Sequence, residues 1–148
     1  GLCDAQGVKL SDCFANSFCL SADVSNAFDP NWPETCDKRN NSLLNYGVSI
    51  CKYTGSRGKG GASDASAEAM GHVRSTLDKA GVIWQIATLG KVDQGGGGTV
   101  AAYMANRNIV TVDAGVPVLS MHAPLELVSK LDCYETMLAC KAIYLAKN

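Results

Sequence analysis

Apolar positions along the chain fall into short blocks, and the spacing inside each block assigns an element. In "NSFCLSADV" (16–24) apolar and small residues alternate, which predicts a buried strand ending at Asp23. Pro30 and Pro33 in "FDPNWPE" then mark a loop. "YGVSICKYT" (46–54) predicts a second strand, and "GSRGKGGAS" (55–63) is too rich in glycine and serine for regular structure. Over 63–81 the period lengthens. Ala65, Ala69, Val73 and Leu77, with Met70, form one apolar stripe of a helix, with Ser63 or Asp64 as N-cap and Gly81 as its end. "VIWQIATLG" (82–90) predicts a strand, and "GGGGTVAAYMANRN" (95–108) a glycine turn running into a short helix. "IVTVDAG" (109–115) and "VPVLSM" (116–121) read as extended, and 125–147 as a long closing helix. Leu127, Leu131, Tyr134, Leu138 and Ile143 mark the expected buried side of that helix. Strand and helix alternate through the second half, with no repeat and no linker. The fold class expected is α/β, a mostly parallel sheet with helices on both faces.

Composition narrows the function. A chain of 148 residues that is 47% hydrophobic and 18% charged is long and apolar enough to bury a core. A net charge of −1 offers no basic surplus for a phosphate backbone, so no nucleic-acid partner is expected. No apolar run has the length of a membrane span, so no membrane partner is expected either. The seven cysteines are odd in number, irregularly spaced and without C-x-x-C, and several sit in apolar runs as small hydrophobes. That usage points to free thiols in a reducing, cytoplasmic setting. The chain does not begin with Met and shows no signal peptide, so a processed or partial polypeptide is expected.

Three places carry candidate chemistry. "KVDQGGGGT" (91–99) lies between a strand and a helix, where phosphate loops occur, but it lacks the Lys-Ser/Thr of a P-loop. Val100 also stands where the third glycine of G-x-G-x-x-G belongs. A tight turn for close helix–strand packing is the simpler reading, and a backbone that approaches a ligand is the other. His72 lies mid-helix and reads as a solvated or half-buried helix residue. His122 follows a strand-like segment and precedes Pro124, and Asp23 ends another strand; both positions are strand ends, where ligands bind in α/β sheets. Histidine and aspartate are ordinary zinc donors, although each also occurs as a turn-former or a satisfied core group.

Four long collinear stretches carry a resemblance. "CLSADVSNAFDPNWPE" (19–34), "YGVSICKYTGSRGKGGASDASAE" (46–68), "GKVDQGGGGTVAAYMA" (90–105) and "DAGVPVLSMHAPLELVSKLDCYETM" (113–137) resemble the M18 metallo-aminopeptidases. Within that family the bacterial aminopeptidase 1 branch is the most similar. The resemblance covers nearly the whole chain after about residue 14. It implies an α/β catalytic domain interrupted by a dimerisation domain, a two-zinc active site that removes N-terminal residues from peptides, and a dodecameric assembly. It places Asp23 and His122 at zinc-ligand positions, each terminal and on different zincs. It places Lys52 and Asn26 in the substrate site. Asn26 stands where the aspartyl-specific branch has a histidine, and that branch's tyrosine near the position of Gly61 is absent here.

A two-metal peptidase also needs a bridging carboxylate, further terminal ligands and a carboxylate base. The family supplies these from an H-x-D motif, a bridging aspartate and a Glu-Glu pair, all before the "SADV" strand. This chain has no H-x-D and no Glu-Glu, and Glu34, Glu68, Glu126 and Glu135 are isolated. Residues 1–148 are therefore expected to be the C-terminal portion of the catalytic domain, with the base, the bridging carboxylate and the dimerisation domain elsewhere. Its partners would be peptide substrates, the remainder of the catalytic chain and further copies of itself. The alternative is a non-catalytic α/β interaction or assembly module that kept the fold. A nucleotide site on "QGGGGT" is weaker still, given its glycine spacing.

Overall fold

The computed structural model describes residues 1–55, 63–91 and 93–146. Most of the loop expected at 55–63, Gly61 included, lies outside the described residues. Two short helices, α1 (Leu2–Ala5) and α2 (Leu10–Ala15), lead into strand β1 (Phe18–Ser21). Then follow β2 (Ser25–Asn26), β3 (Val48–Cys51), α3 (Ala67–Ala80), β4 (Trp84–Ile86), α4 (Ala101–Ala105), β5 (Val110–Gly115), β6 (Pro117–Leu119), β7 (Leu127–Val128) and α5 (Lys130–Leu145).

Strand alternation gives the main sheet two unlike faces. Its order is β1-β5-β3-β4. Val48, Ile50, Val112 and Ala114, with Phe18 and Leu20, point to one face and pack on α3 and α5. Positions of the opposite parity are small or polar: Ser21, Ser49, Cys51, Thr111, Asp113 and Gly115. β1 and β5 pair in parallel, as do β3 and β4, while β3 runs antiparallel to β5. β1 and β3 therefore run in opposite directions. Their pairings with β5 overlap at one row, Ser21–Asp113–Cys51. The mixed α/β architecture matches the expected class, with antiparallel pairs joining the parallel ones.

Helix α3 follows its stripe: Ala69, Met70, Val73 and Leu77 are buried, and Gly81 ends it at φ 70°. Its cap is Ser66, whose hydroxyl accepts from the Ala69 amide at 3.1 Å, rather than Ser63 or Asp64. The reason is that residues 63–65 run beside the end of β3, with Ala65 N donating to Lys52 O and Thr54 N to Ser63 O. The strand expected over 16–24 is shorter, and a second one follows it. The first stops at Ser21, and the second is β2, in a second sheet ordered β2-β6-β7. The closing helix also starts later than expected. Leu127 and Val128 pair with β6, and the Ser129 hydroxyl caps α5 by accepting from the Leu131 and Asp132 amides.

The buried side of α5 differs most from expectation. Leu127, Leu131 and Tyr134 are exposed, whereas Asp132, Glu135 and Ala139 are buried. The carboxylates win because they pair amides that would otherwise be orphaned. Asp132, 0% exposed, accepts from Asn45 N and Gly47 N, each at 2.8 Å. Glu135 accepts from Ile83 N at 2.9 Å. These amides lie just before β3 and β4. Gly47 also has to be glycine: its φ is 84°, and a Cβ there would lie 2.1 Å from Ile83 O.

Gly115 is a second obligatory glycine. A Cβ at this position would lie 1.3 Å from the carbonyl oxygen of Asp23. The end of β5 thus seats the backbone that follows β1.

Two outcomes follow from this packing. Asp132→Ala leaves the buried Gly47 amide and the more exposed Asn45 amide without their acceptor and should lower stability by about 2 kcal/mol in urea denaturation; a loss near zero would show that water replaces the carboxylate. Gly115→Ala should move the amide signals of residues 22–25 in a two-dimensional NMR spectrum and leave those of α3 in place. Unmoved signals at 22–25 would contradict the seat described for Asp23.

Candidate active site

A two-residue strand pair brings the two candidate ligands together. β2 begins two residues after Asp23, and β6 ends three residues before His122. The two strands pair in parallel, Ser25 with Pro117 and Asn26 with Val118. The segment leaving β1 and the turn following β6 consequently meet.

Asp23 is exposed, and its Oδ1 accepts from Val24 N at 2.8 Å. His122 sits in a turn in which Ala123 N donates to Ser120 O at 2.9 Å. Ser120 and His122 have φ of 58° and 68°, a left-handed conformation that is uncommon for side-chain-bearing residues. The carboxylate of Glu126 accepts from His122 N and holds this turn. Among the described residues, no hydrogen bond or ion pair engages the His122 imidazole. Strained backbone that presents an unengaged imidazole fits a ligand-binding role.

Asp23, Asn26, Met121 and His122 line a cleft of about 290 Å³, whose other wall is Gly95–Gly98 with Thr99. Here the glycine run finds its use. Gly96 has φ 99°, and a Cβ on it would lie 2.1 Å from Gly55 O. The close approach is thus between two loops at the cleft, not between a helix and a strand.

Asn26 is half-buried and donates from Nδ2 to Cys36 Sγ at 3.4 Å. Lys52 is not among the residues lining the cleft. Its ammonium pairs with Asp64 and donates to Ala65 O at 3.0 Å. The strand directions account for this: Lys52 follows the end of β3, which runs opposite to β1. His72 is half-buried and meets Phe18 edge-on at 5.5 Å, the structural role expected of it.

Sequence reasoning passed over Asp113. It is 6% exposed on the polar face of β5, where Thr99 Oγ1 donates to Oδ1 at 2.8 Å and Thr54 Oγ1 to Oδ2 at 3.3 Å. Burial pushes its carboxyl above the usual carboxylate range, the hydroxyl donors oppose that, and the nearby Asp23 adds to it. Burial likewise pushes the Cys51 thiol up. The signal was present in "IVTVDAG", where strand alternation puts an ionisable group among buried positions.

The donor types of Asp23 and His122 suit zinc. Among the described residues, however, no three His, Cys, Asp or Glu side chains gather as a metal site. A zinc in this cleft needs donors from outside them.

Comparisons with known proteins point to one family. Residues 4–144 match the family profile described as "Aminopeptidase I zinc metalloprotease (M18)". A curated relative from Clostridium acetobutylicum, described as "Probable M18 family aminopeptidase 1", is 52% identical over 133 residues, 90% of this chain and 29% of its own length. The crystal structure of aminopeptidase I from Clostridium acetobutylicum superposes with a TM-score of 0.90 at 48% identity, covering 98% of this chain and 32% of that one. The mApe1 dodecamer of S. cerevisiae shares the fold, with a TM-score of 0.72 at 24% identity over 93% of this chain and 28% of that one. The chain therefore spans about a third of the length of the proteins it matches, and within that span it belongs to the M18 aminopeptidase I family of zinc metalloproteases.

Proposed function

We propose that this chain is the C-terminal portion of the catalytic domain of a zinc aminopeptidase that removes N-terminal residues from peptides. The observation that carries the reading is the meeting of Asp23 and His122 at one cleft, in a chain of the M18 family. Each serves as a terminal ligand, on different ions of a two-zinc centre. Zinc bound there lowers the pKa of a water toward neutrality and polarises the scissile carbonyl. The bridging carboxylate and the general base come from the remainder of the catalytic chain, together with the other ligands and the dimerisation domain. Of the two substrate contacts, Asn26 already faces the cleft. Lys52 reaches substrate only by leaving Asp64.

The remainder of the catalytic chain has a place to pack. β1 is an edge strand, and beside it runs a groove of about 410 Å³ lined by Phe18, Leu20, Cys140, Ile143 and Tyr144. An added strand would satisfy the open edge and cover these apolar groups. The complete enzyme is a homo-oligomer in this reading, in line with the dodecameric relative that shares the fold. Seven free thiols suit a reducing, cytoplasmic setting. Among the described residues, no helix is long and apolar enough to cross a membrane. An assembly module released from catalysis would have no need of Asp23 and His122 at one cleft.

Elemental analysis and peptide hydrolysis test the reading together. The complete enzyme should hold about two zincs per chain, and the chain of 148 residues alone should neither hold them nor turn over peptides. Full activity of the isolated chain would overturn the proposal. In the complete enzyme, His122→Ala should abolish activity and release metal without unfolding, while His72→Ala should keep the metal. Unchanged zinc content in His122→Ala would remove that residue from the ligand set.

A further inference from the structure

Asp113 lies in the single row that β1, β5 and β3 share, flanked by Ser21 and Cys51. It does not line the cleft. Its two oxygens instead receive the hydroxyls of Thr99 and Thr54. Thr99 closes the glycine run, and its Oγ1 also accepts from Ala101 N at 3.2 Å, at the start of α4. Thr54 directly precedes Gly55, the residue against which Gly96 packs. Both loops that meet at Gly55 and Gly96 are therefore tied to one carboxylate.

The wall depends on that tie for a physical reason. Gly95–Gly98 have no side chains with which to hold a position, and glycine loses more backbone freedom on ordering than any other residue. At its upstream end the run is fixed by Gly95 N donating to Lys91 O at 2.8 Å. At its downstream end Thr99 is the side-chain anchor. We propose that Asp113 is a positioning residue that sets the width of the substrate cleft, clasping the glycine wall through Thr99 and the abutting loop through Thr54. The inference rests on the aminopeptidase reading for the identity of what enters the cleft, and on geometry alone for the clasp.

Two measurements test it separately. On the chain itself, hydrogen exchange of the Gly95 amide, which donates to Lys91 O, should quicken in Thr99→Val, with the amides of Leu77 and Val112 unchanged; Thr99→Ser, which keeps the hydroxyl, should restore its protection. In the complete enzyme, Thr99→Val should raise KM for aminoacyl p-nitroanilides about five- to tenfold, the scale of one ordinary lost hydrogen bond, with kcat within about twofold. Thr54 does not line the cleft, so a smaller rise in KM for Thr54→Val separates the clasp from direct contact. Both variants should keep their zinc. Unchanged exchange in Thr99→Val would overturn the clasp, and so would a fall in kcat at constant KM. A complete wild-type enzyme inactive on every peptide would refute the aminopeptidase reading instead, and the exchange result would still decide the clasp.

Discussion

Two buried carboxylates on α5 fix where that helix crosses the sheet. Asp132 and Glu135 sit one helical turn apart and reach the amides that precede β3 and β4. A backbone N–H removed from water and left unpaired costs as much as a lost hydrogen bond, so these contacts set the rotation of α5 about its axis. With the carboxylates turned inward, Leu138, Ala139, Ala142 and Ile143 meet the apolar face of the sheet. α5 thereby covers that face away from the groove beside β1, and the polar face, with Ser21, Asp113 and Cys51 in one row, presents the carboxylate to which Thr99 of the cleft wall is tied.

The parts of this arrangement that could be read from the chain are those in which burial and hydrophobicity coincide. In α3 they do, and every stripe residue from Ala65 to Leu77 is buried. In α5 they do not. Asp132 and Glu135 look like a solvated face to any count of apolar positions, so the pattern puts Leu131 and Tyr134 inside while the fold leaves them outside. The α3 cap moved for a related reason, since residues 63–65 are drawn into pairing with a strand end that local signals do not register.

The candidate site divides the same way. Asp23 and His122 could be singled out because each follows a strand-like block. Their meeting depends on β2 and β6, which are too short to leave a periodic trace. The antiparallel turn of β3 is equally invisible in the alternation of "VSIC", and it is what carries Lys52 to Asp64. The glycine run was conspicuous in sequence, but its partner, the carbonyl of Gly55, is a long-range contact between two loops.

The left-handed turn at His122 has a further consequence for how this position can change. A Cβ at positive φ costs about 1 kcal/mol, and glycine or asparagine would suit that backbone better. Stability and chemistry thus select in opposite directions at one residue. Asn or Gly at position 122 would relax this backbone and would at the same time remove the imidazole, the group on which the proposed metal-binding role of the turn depends.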